Sequence, residues 1–297
     1  MGSAYATEFP AQDWEQIRND VKHASIPNQE AGNYWNGTGE YKDWLSLGSG
    51  KVYLDGSPST EGRYASGIIL TGAGTSAELR KNFTVYVEGK EGYANGLATN
   101  GGEVINSGTV YVKGSDIFWR VDRVKGMSVD EGRALNKGTI IAENAHGMVA
   151  NSKSSEDKAS VLINRGTIQV SGSMAVGMLD NNPNPRVNDV PLEDTLVNLK
   201  NQGDIVAYNG AAGIKVYSGS KSGKTNVTLE GGSSVTAADD SSKAIDIAAT
   251  NHEVNLNFEK GNVIVDGIVH IAGTTNQTDI NVTGADVENG LQLDASH

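Results

Sequence analysis

Apolar and polar positions alternate in short runs along most of this chain, and the runs return at a nearly regular distance. In residues 159–179, Ile168 and Val170 alternate with Thr167 and Gln169, the period of a strand with one buried face. Asn164-Arg165-Gly166 and Ser171-Gly172-Ser173 are turn clusters on either side. The stretch therefore predicts three short strands separated by two tight turns. So few strands cannot bury an apolar face alone, and the unit must stack on copies of itself.

Copies recur. The element glycine, any residue, apolar, any residue, apolar starts at Gly50, Gly108, Gly138, Gly166, Gly203 and Gly261, with degenerate copies at Phe83 and Ser233. The starts are 33, 25, 30, 28, 37, 30 and 28 residues apart, a period with loops of different length on each coil. A second strand follows alanine, any residue, glycine at Ala65, Ala94, Ala145, Ala175 and Ala211, where a small residue lets the chain turn a corner. A third precedes the first glycine, as in Val197-Asn198-Leu199, Val227-Thr228-Leu229, Val254-Asn255-Leu256 and Ile280-Asn281-Val282. Three strands per coil, each pairing with its equivalent about 4.8 Å away, predict an all-β chain: a right-handed parallel β-helix of about eight coils over residues 49–297. Asn106, Asn136, Asn164 and Asn201 stand two places before a glycine, which suits left-handed turn backbone and a ladder of stacked amides. Thr109, Thr139, Thr167, Asp204 and Asn262 are expected to form one outward row.

Four stretches leave the pattern. Residues 1–48 hold Trp14, Trp35 and Trp44, and Phe9, Trp14, Ile17 and Val21 recur at near-helical spacing after Pro10, a good first-turn residue. They predict a cap with a short helix over the first coil, whose core and strand edges need cover. Residues 115–128 carry Phe118, Trp119, Arg120 and Arg123 where an alanine-glycine strand is due, with Phe118 or Trp119 filling the column or forming an aromatic, basic patch. Residues 151–158 form a polar loop. Residues 180–196 include Asn182, Asn184, Arg186 and Asn188 among three of the six prolines, and proline cannot continue a ladder, so this segment must loop out. Stiff loops on a rigid scaffold are favoured binding elements, which makes these two groups of four residues the candidate binding residues.

Composition narrows the function. With 37 glycines, no cysteine and a net charge of -12, the chain is turn-rich and acidic, which argues against nucleic acid as a partner. Residues 187–297 have no arginine, and six lysines against fifteen acidic residues give 6 - 15 = -9. No aspartate ladder of a calcium-binding repeat is present, so neither metal nor cofactor is expected. No apolar run is long enough to span a membrane. Met1-Gly2-Ser3 reads as a cloning remnant, no signal peptide follows, and the repeat-like segment 287–293 suggests a piece of a longer protein.

Elements such as Ile163-Asn164-Arg165-Gly166-Thr167-Ile168 with Ala175-Val176-Gly177-Met178, and Leu135-Asn136-Lys137-Gly138-Thr139-Ile140 with Ala145-His146-Gly147-Met148, resemble the passenger domains of Gram-negative type V autotransporter adhesins. The resemblance spans residues 50–285. It implies a cell-surface or secreted β-helical stalk, exported through an outer-membrane barrel, that binds a host cell-surface protein or glycan. The alternative is a column that pairs with itself through outward polar rows and clumps cells. A polysaccharide-degrading enzyme is the least favoured reading: Asp116, Asp122 and Asp130 lie near Arg120 and Arg123, but no motif joins them into acid-base machinery, and no catalytic residue is expected.

Overall fold

A computed structural model describes residues 7–22, 49–56, 65–71, 76–89, 94–115, 124–151, 159–182, 195–218, 223–249, 252–272 and 277–296. Every strand pairing among them is parallel, and the strands stack as the three faces of a right-handed β-helix. The first face holds Ser49–Gly56, Asn82–Gly89, Thr109–Lys113, Thr139–Glu143, Thr167–Ser171, Asp204–Tyr208 and Ser234–Ala237. The second includes His146–Asn151, Val176–Asn182, Ala212–Ser218, Lys243–Ala249, Ile268–Ala272 and Gln292–Ser296. The third includes Ser160–Asn164, Thr195–Asn201 and Gly223–Glu230, while Ala94–Asn106 and Val124–Asn136 bend from the second face into the third.

The register shows why the alternation encodes a column. On the first face Val85, Val110, Ile140, Ile168, Ile205, Val235 and Val265 stand over one another, all buried. Leu97, Met127, Met148, Met178, Ile214, Ile245 and Val269 do the same on the second. Like stacks on like, so each coil buries the apolar row of its neighbour in one core. Both glycine positions are places where coils touch. A Cβ on Gly166 would stand 2.0 Å from the Gly138 carbonyl oxygen, and one on Gly147 would stand 2.6 Å from that of Gly177.

The expected asparagine ladder is present and fully buried. Asn106 donates to Asn136 at 2.8 Å, Asn136 to Asn164 at 2.8 Å, Asn164 to Asn201 at 2.9 Å, and Asn201 to the Ser234 carbonyl at 3.0 Å. The reason differs from the turn chemistry expected. None of these asparagines is left-handed; each ends its strand, and Asn106 Oδ1 also accepts the amide of Gly108 at 3.1 Å. Among the described residues the left-handed asparagines are Asn144, Asn209 and Asn289, at other turns.

Three boundaries are corrected. The alanine-glycine strand, expected to be replaced near residues 115–128 by a loop or by a bulky strand around Phe118 and Trp119, is present from Val124: Val124-Lys125-Gly126 pairs with Ala94-Asn95-Gly96, valine replacing alanine, so residues 124–128 are strand rather than loop. Strand also runs to Asn182 and resumes at Thr195, which trims the expected 180–196 loop at both ends. In the penultimate coil Ser234 pairs with Ile264, so the outward row passes through Ile264 and not Asn262, a shift of two residues. Left-handed Lys260 and Gly261 add backbone at that corner, and Glu253–Asp266 runs through it as one strand.

The amino-terminal segment does more than lie near one end. Its helix is Trp14–Lys22, started not by Pro10 but by Asp13, whose carboxylate accepts the Gln16 amide at 2.9 Å. The helix lies across the outer side of the first face. Trp14 packs on Tyr86 and Tyr111, with ring centroids 6.2 and 6.3 Å away, and donates to Glu143 at 2.6 Å. Lys113 sits 5.4 Å above the same ring, Arg18 pairs with Glu88 at 3.7 Å, and Phe9 meets the edge of Tyr208 at 5.5 Å. The segment thus straps several coils; residues 23–48, with Trp35 and Trp44, lie outside the described residues. A nine-residue helix is not stable in isolation. Trp14→Ala should therefore release it, lowering amide-exchange protection at residues 17–21 at least about tenfold while leaving the column's protection unchanged.

Candidate binding surface

Phe118, Trp119, Arg120 and Arg123 lie outside the described residues, in the connection from the first face to the second. Asn184, Arg186 and Asn188 also lie outside them, in the connection from second face to third; Asn182 ends a strand, and its side chain is not described. The connection at 152–158 leaves from that same second-to-third edge, one coil away, since Asn151 and Asn181 are register partners. The two candidate groups are anchored across the width of the second face, about 20 Å for a six-residue strand. Hence Asn151 and Asn182 end strands at one edge of the second face, and Val124 begins one at the other. Of the acids considered for catalysis, Asp116 and Asp122 are not described, and Asp130 accepts an amide bond from Asn151 at 3.0 Å on the flank.

The outer side of the second face is unusually sealed. Val149, Val176, Leu179 and Ala212 form a small cluster separate from the core. Beside it Lys125 and His146 are register partners and both buried, and Lys125 donates to Asn151 at 3.0 Å. Burial, then the charges of Lys125 and Lys215, depress the His146 imidazole from 6.5 to about 3. Below pH 6.5 the unfolded chain takes up a proton that folded His146 refuses, so its contribution falls as pH drops from 6.5 towards 3. At pH 5 the loss is about 2 kcal/mol. His146→Asn should flatten the acid side of a stability-versus-pH curve by that amount, measured by urea unfolding at pH 7 and pH 5.

Further along this face, Asp246 gathers three basic groups: Lys215 at 2.7 Å, His270 at 2.7 Å and Lys243 at 3.2 Å. Burial pushes its carboxyl up, but the bond and charge of Lys215, the bond to His270 and the charge of Lys243 prevail and hold it below the usual range. At the second-to-third edge, Thr225 donates to Asp180 at 2.5 Å and lies 2.6 Å from His252 Nε2. The Asp180 and His252 side chains are wholly shielded from solvent. This cluster pins the corner; with no solvent access it offers no reaction site.

A groove among the described residues lies on the first face at the last coils. Its volume is about 390 Å³. Asp204, Asp266, Glu288, Asn262, Gln292 and Ile264 are among the residues that line it. The outward row explains its chemistry: Thr109, Thr139 and Thr167 lead in register to Asp204, Ser234, Ile264 and Glu288, so hydroxyls give way to carboxylates. Sequence reasoning placed Asp204 in the row and saw the acidity of this half, but the two-residue shift hid Ile264 and Glu288. The left-handed pair Lys260-Gly261 was the available signal, legible only once the register is known.

Residues 8–189, more than half of the chain, match the family described as the BigA third pectate lyase-like domain. BigA is a bacterial surface protein. No curated protein and no solved structure matches the chain.

Proposed function

We propose that this chain, which belongs to the BigA third pectate lyase-like domain family, serves at a bacterial cell surface as an adhesive β-helical column that holds host-binding elements away from the cell. The observation that carries this reading is the separation of parts. An unbroken core supports the coils, while connections of widely different length, including 152–158 and 183–194, leave from one edge. A rigid scaffold with variable loops along one edge is a display device. The autotransporter resemblance would add export through an outer-membrane barrel. The candidate residues Asn182, Asn184, Arg186 and Asn188, with Phe118, Trp119, Arg120 and Arg123, then meet the ligand. No helix among the described residues is long and apolar enough to cross a membrane.

Self-association is the second reading, favoured by the half-exposed Thr109, Thr139 and Thr167 row, whose hydroxyls repeat once per coil. One experiment separates the two: beads coated with the chain are presented to host cells and to each other, beside a chain lacking residues 183–190. Host-cell binding that the deletion abolishes supports the loop-borne adhesin. Bead clumping that survives the deletion, without host-cell binding, supports self-association and overturns the first reading.

A further inference from the structure

We propose that Lys125, Asn151 and Asp130 form a self-modification site, at which the lysine amine and the asparagine amide condense into a covalent cross-link between neighbouring coils. The cross-link is a property of the column itself and stands apart from the adhesion reading.

The groups belong to adjacent strands. Lys125 and Asp130 lie on Val124–Asn136, and Asn151 ends His146–Asn151, its parallel neighbour. Lys125 Nζ donates to Asn151 Oδ1 at 3.0 Å. A carbonyl bond is about 1.23 Å long, so with Nζ at 3.0 Å from the oxygen it lies no more than about 4.2 Å from Cγ, and a near-attack distance of about 3–3.5 Å is a small step away. The other end of the amide is held as firmly. Asn151 Nδ2 donates to Asp130 Oδ1 at 3.0 Å and to Ser128 Oγ at 3.0 Å. These three bonds turn the amide oxygen towards the amine and the amide nitrogen, the leaving group, towards a carboxylate.

The surroundings suit the reaction. Lys125 is 8 % exposed and is the lysine that is buried among the described residues. Ser128 and its register partner Val149 are buried beside it, which limits competing water. Burial favours the uncharged form of any amine, and only that form has a lone pair with which to attack. Lys113, Lys200, Lys215, Lys224 and Lys243 differ on both counts: they are partly exposed and meet carboxylates, whose carbon is a poor electrophile.

The step balances without a further reagent. The Nζ lone pair forms a bond to Cγ, and the carbonyl electron pair moves onto Oδ1. In the resulting adduct both nitrogens hang on one carbon, so the carboxylate bonded to Nδ2 is within reach of the new N–H. Asp130 takes that proton and passes it to Nδ2; the carbonyl re-forms, the Cγ–Nδ2 bond breaks, and ammonia departs. The product is a secondary amide between residues 125 and 151 on adjacent coils, closing a loop across a sequence separation of 26. Such a tie restricts the unfolded chain as a disulfide does, in a protein that has no cysteine.

The test is the intact mass of the purified, folded chain. The expected mass is below that of the sequence by one ammonia, about 17 Da, with a branched peptide joining residues 125 and 151 after proteolysis. Lys125→Met and Asn151→Ala should each restore the full mass. Because either change can disturb the sealed cluster, Asp130→Asn supplies a milder variant, whose amide oxygen still accepts from Asn151 Nδ2 but cannot carry the proton. It should keep the circular dichroism spectrum of the parent and also retain the full mass. A parent chain of full mass overturns the proposal, as does ammonia loss without the branched peptide, which marks a cyclised asparagine. A cross-link that persists in Asp130→Asn overturns the role given to Asp130.

Discussion

Gly166→Ala is expected to destabilise the column by about 3–5 kcal/mol, more than a single methyl group usually costs. The methyl would lie 2.0 Å from the Gly138 carbonyl oxygen and 2.8 Å from the Lys137 carbonyl carbon. Neither can swing away as a side-chain tip could, because both are backbone. The Gly138 oxygen also accepts the Thr167 amide at 2.9 Å, so parting the coils to admit the methyl breaks the bond that joins them. Gly203 rests on Gly166 in the same manner, with 2.2 Å available, so the strain passes to a second junction. Gly232→Ala supplies the comparison. There φ is +88° but nothing lies within 4 Å, and only the backbone penalty of about 1–2 kcal/mol remains. Urea midpoints for the two variants should differ accordingly; equal midpoints would mean that coil contact is not what requires glycine at 166.

Asn164→Ala should cost about 2–5 kcal/mol, because it orphans groups on both sides at once. Asn164 accepts from Asn136 and donates to Asn201, and all three are fully buried. Its removal leaves the Asn201 side-chain oxygen with only the long bond from the Gly203 amide at 3.4 Å, and the Asn136 side-chain nitrogen with only long contacts of 3.3 and 3.4 Å to carbonyls. Asn164→Asp is the sharper test. It keeps the shape but turns an acceptor towards the Asn201 acceptor and buries a charge, so at neutral pH it should be no more stable than alanine. The outer ladder gives the contrast. Asn226 receives a bond from Asn255 at 3.0 Å and donates to Asn198 at 2.8 Å, but on the solvent side, so Asn226→Ala should change stability by less than about 1 kcal/mol. Thermal unfolding of the four proteins, with amide exchange at residues 136 and 201, measures both effects.

The ladder also shows how a sequence can identify a feature for an incomplete reason. Asparagine two places before glycine signalled stacking correctly, although left-handed backbone was part of the expectation and none of these four residues adopts it. The second-face copy at Val124 was invisible because valine stands where the other copies have alanine, and the aromatic residues just before it drew the eye. The groove was half legible: Asp204 belonged to the expected row, whereas Ile264 and Glu288 did not.

The sequence by itself determined the column: three faces, parallel stacking, the core rows, the corner glycines and the buried amide ladder. These depend on each coil and its immediate neighbours, so the alternation and turn residues of one repeat contain nearly all the relevant information. Only the tertiary structure decided which outward residues stay in water. Tyr86 and Tyr208 are outward positions of the first face, yet each is 1 % exposed, with Trp14 packed on one and Phe9 on the other. Likewise the left-handed step at Lys260-Gly261 turned the row to Ile264 and Glu288 and set the groove against the last coils. Both outcomes arise between segments far apart in the chain, where local periodicity carries no record of which surfaces will meet.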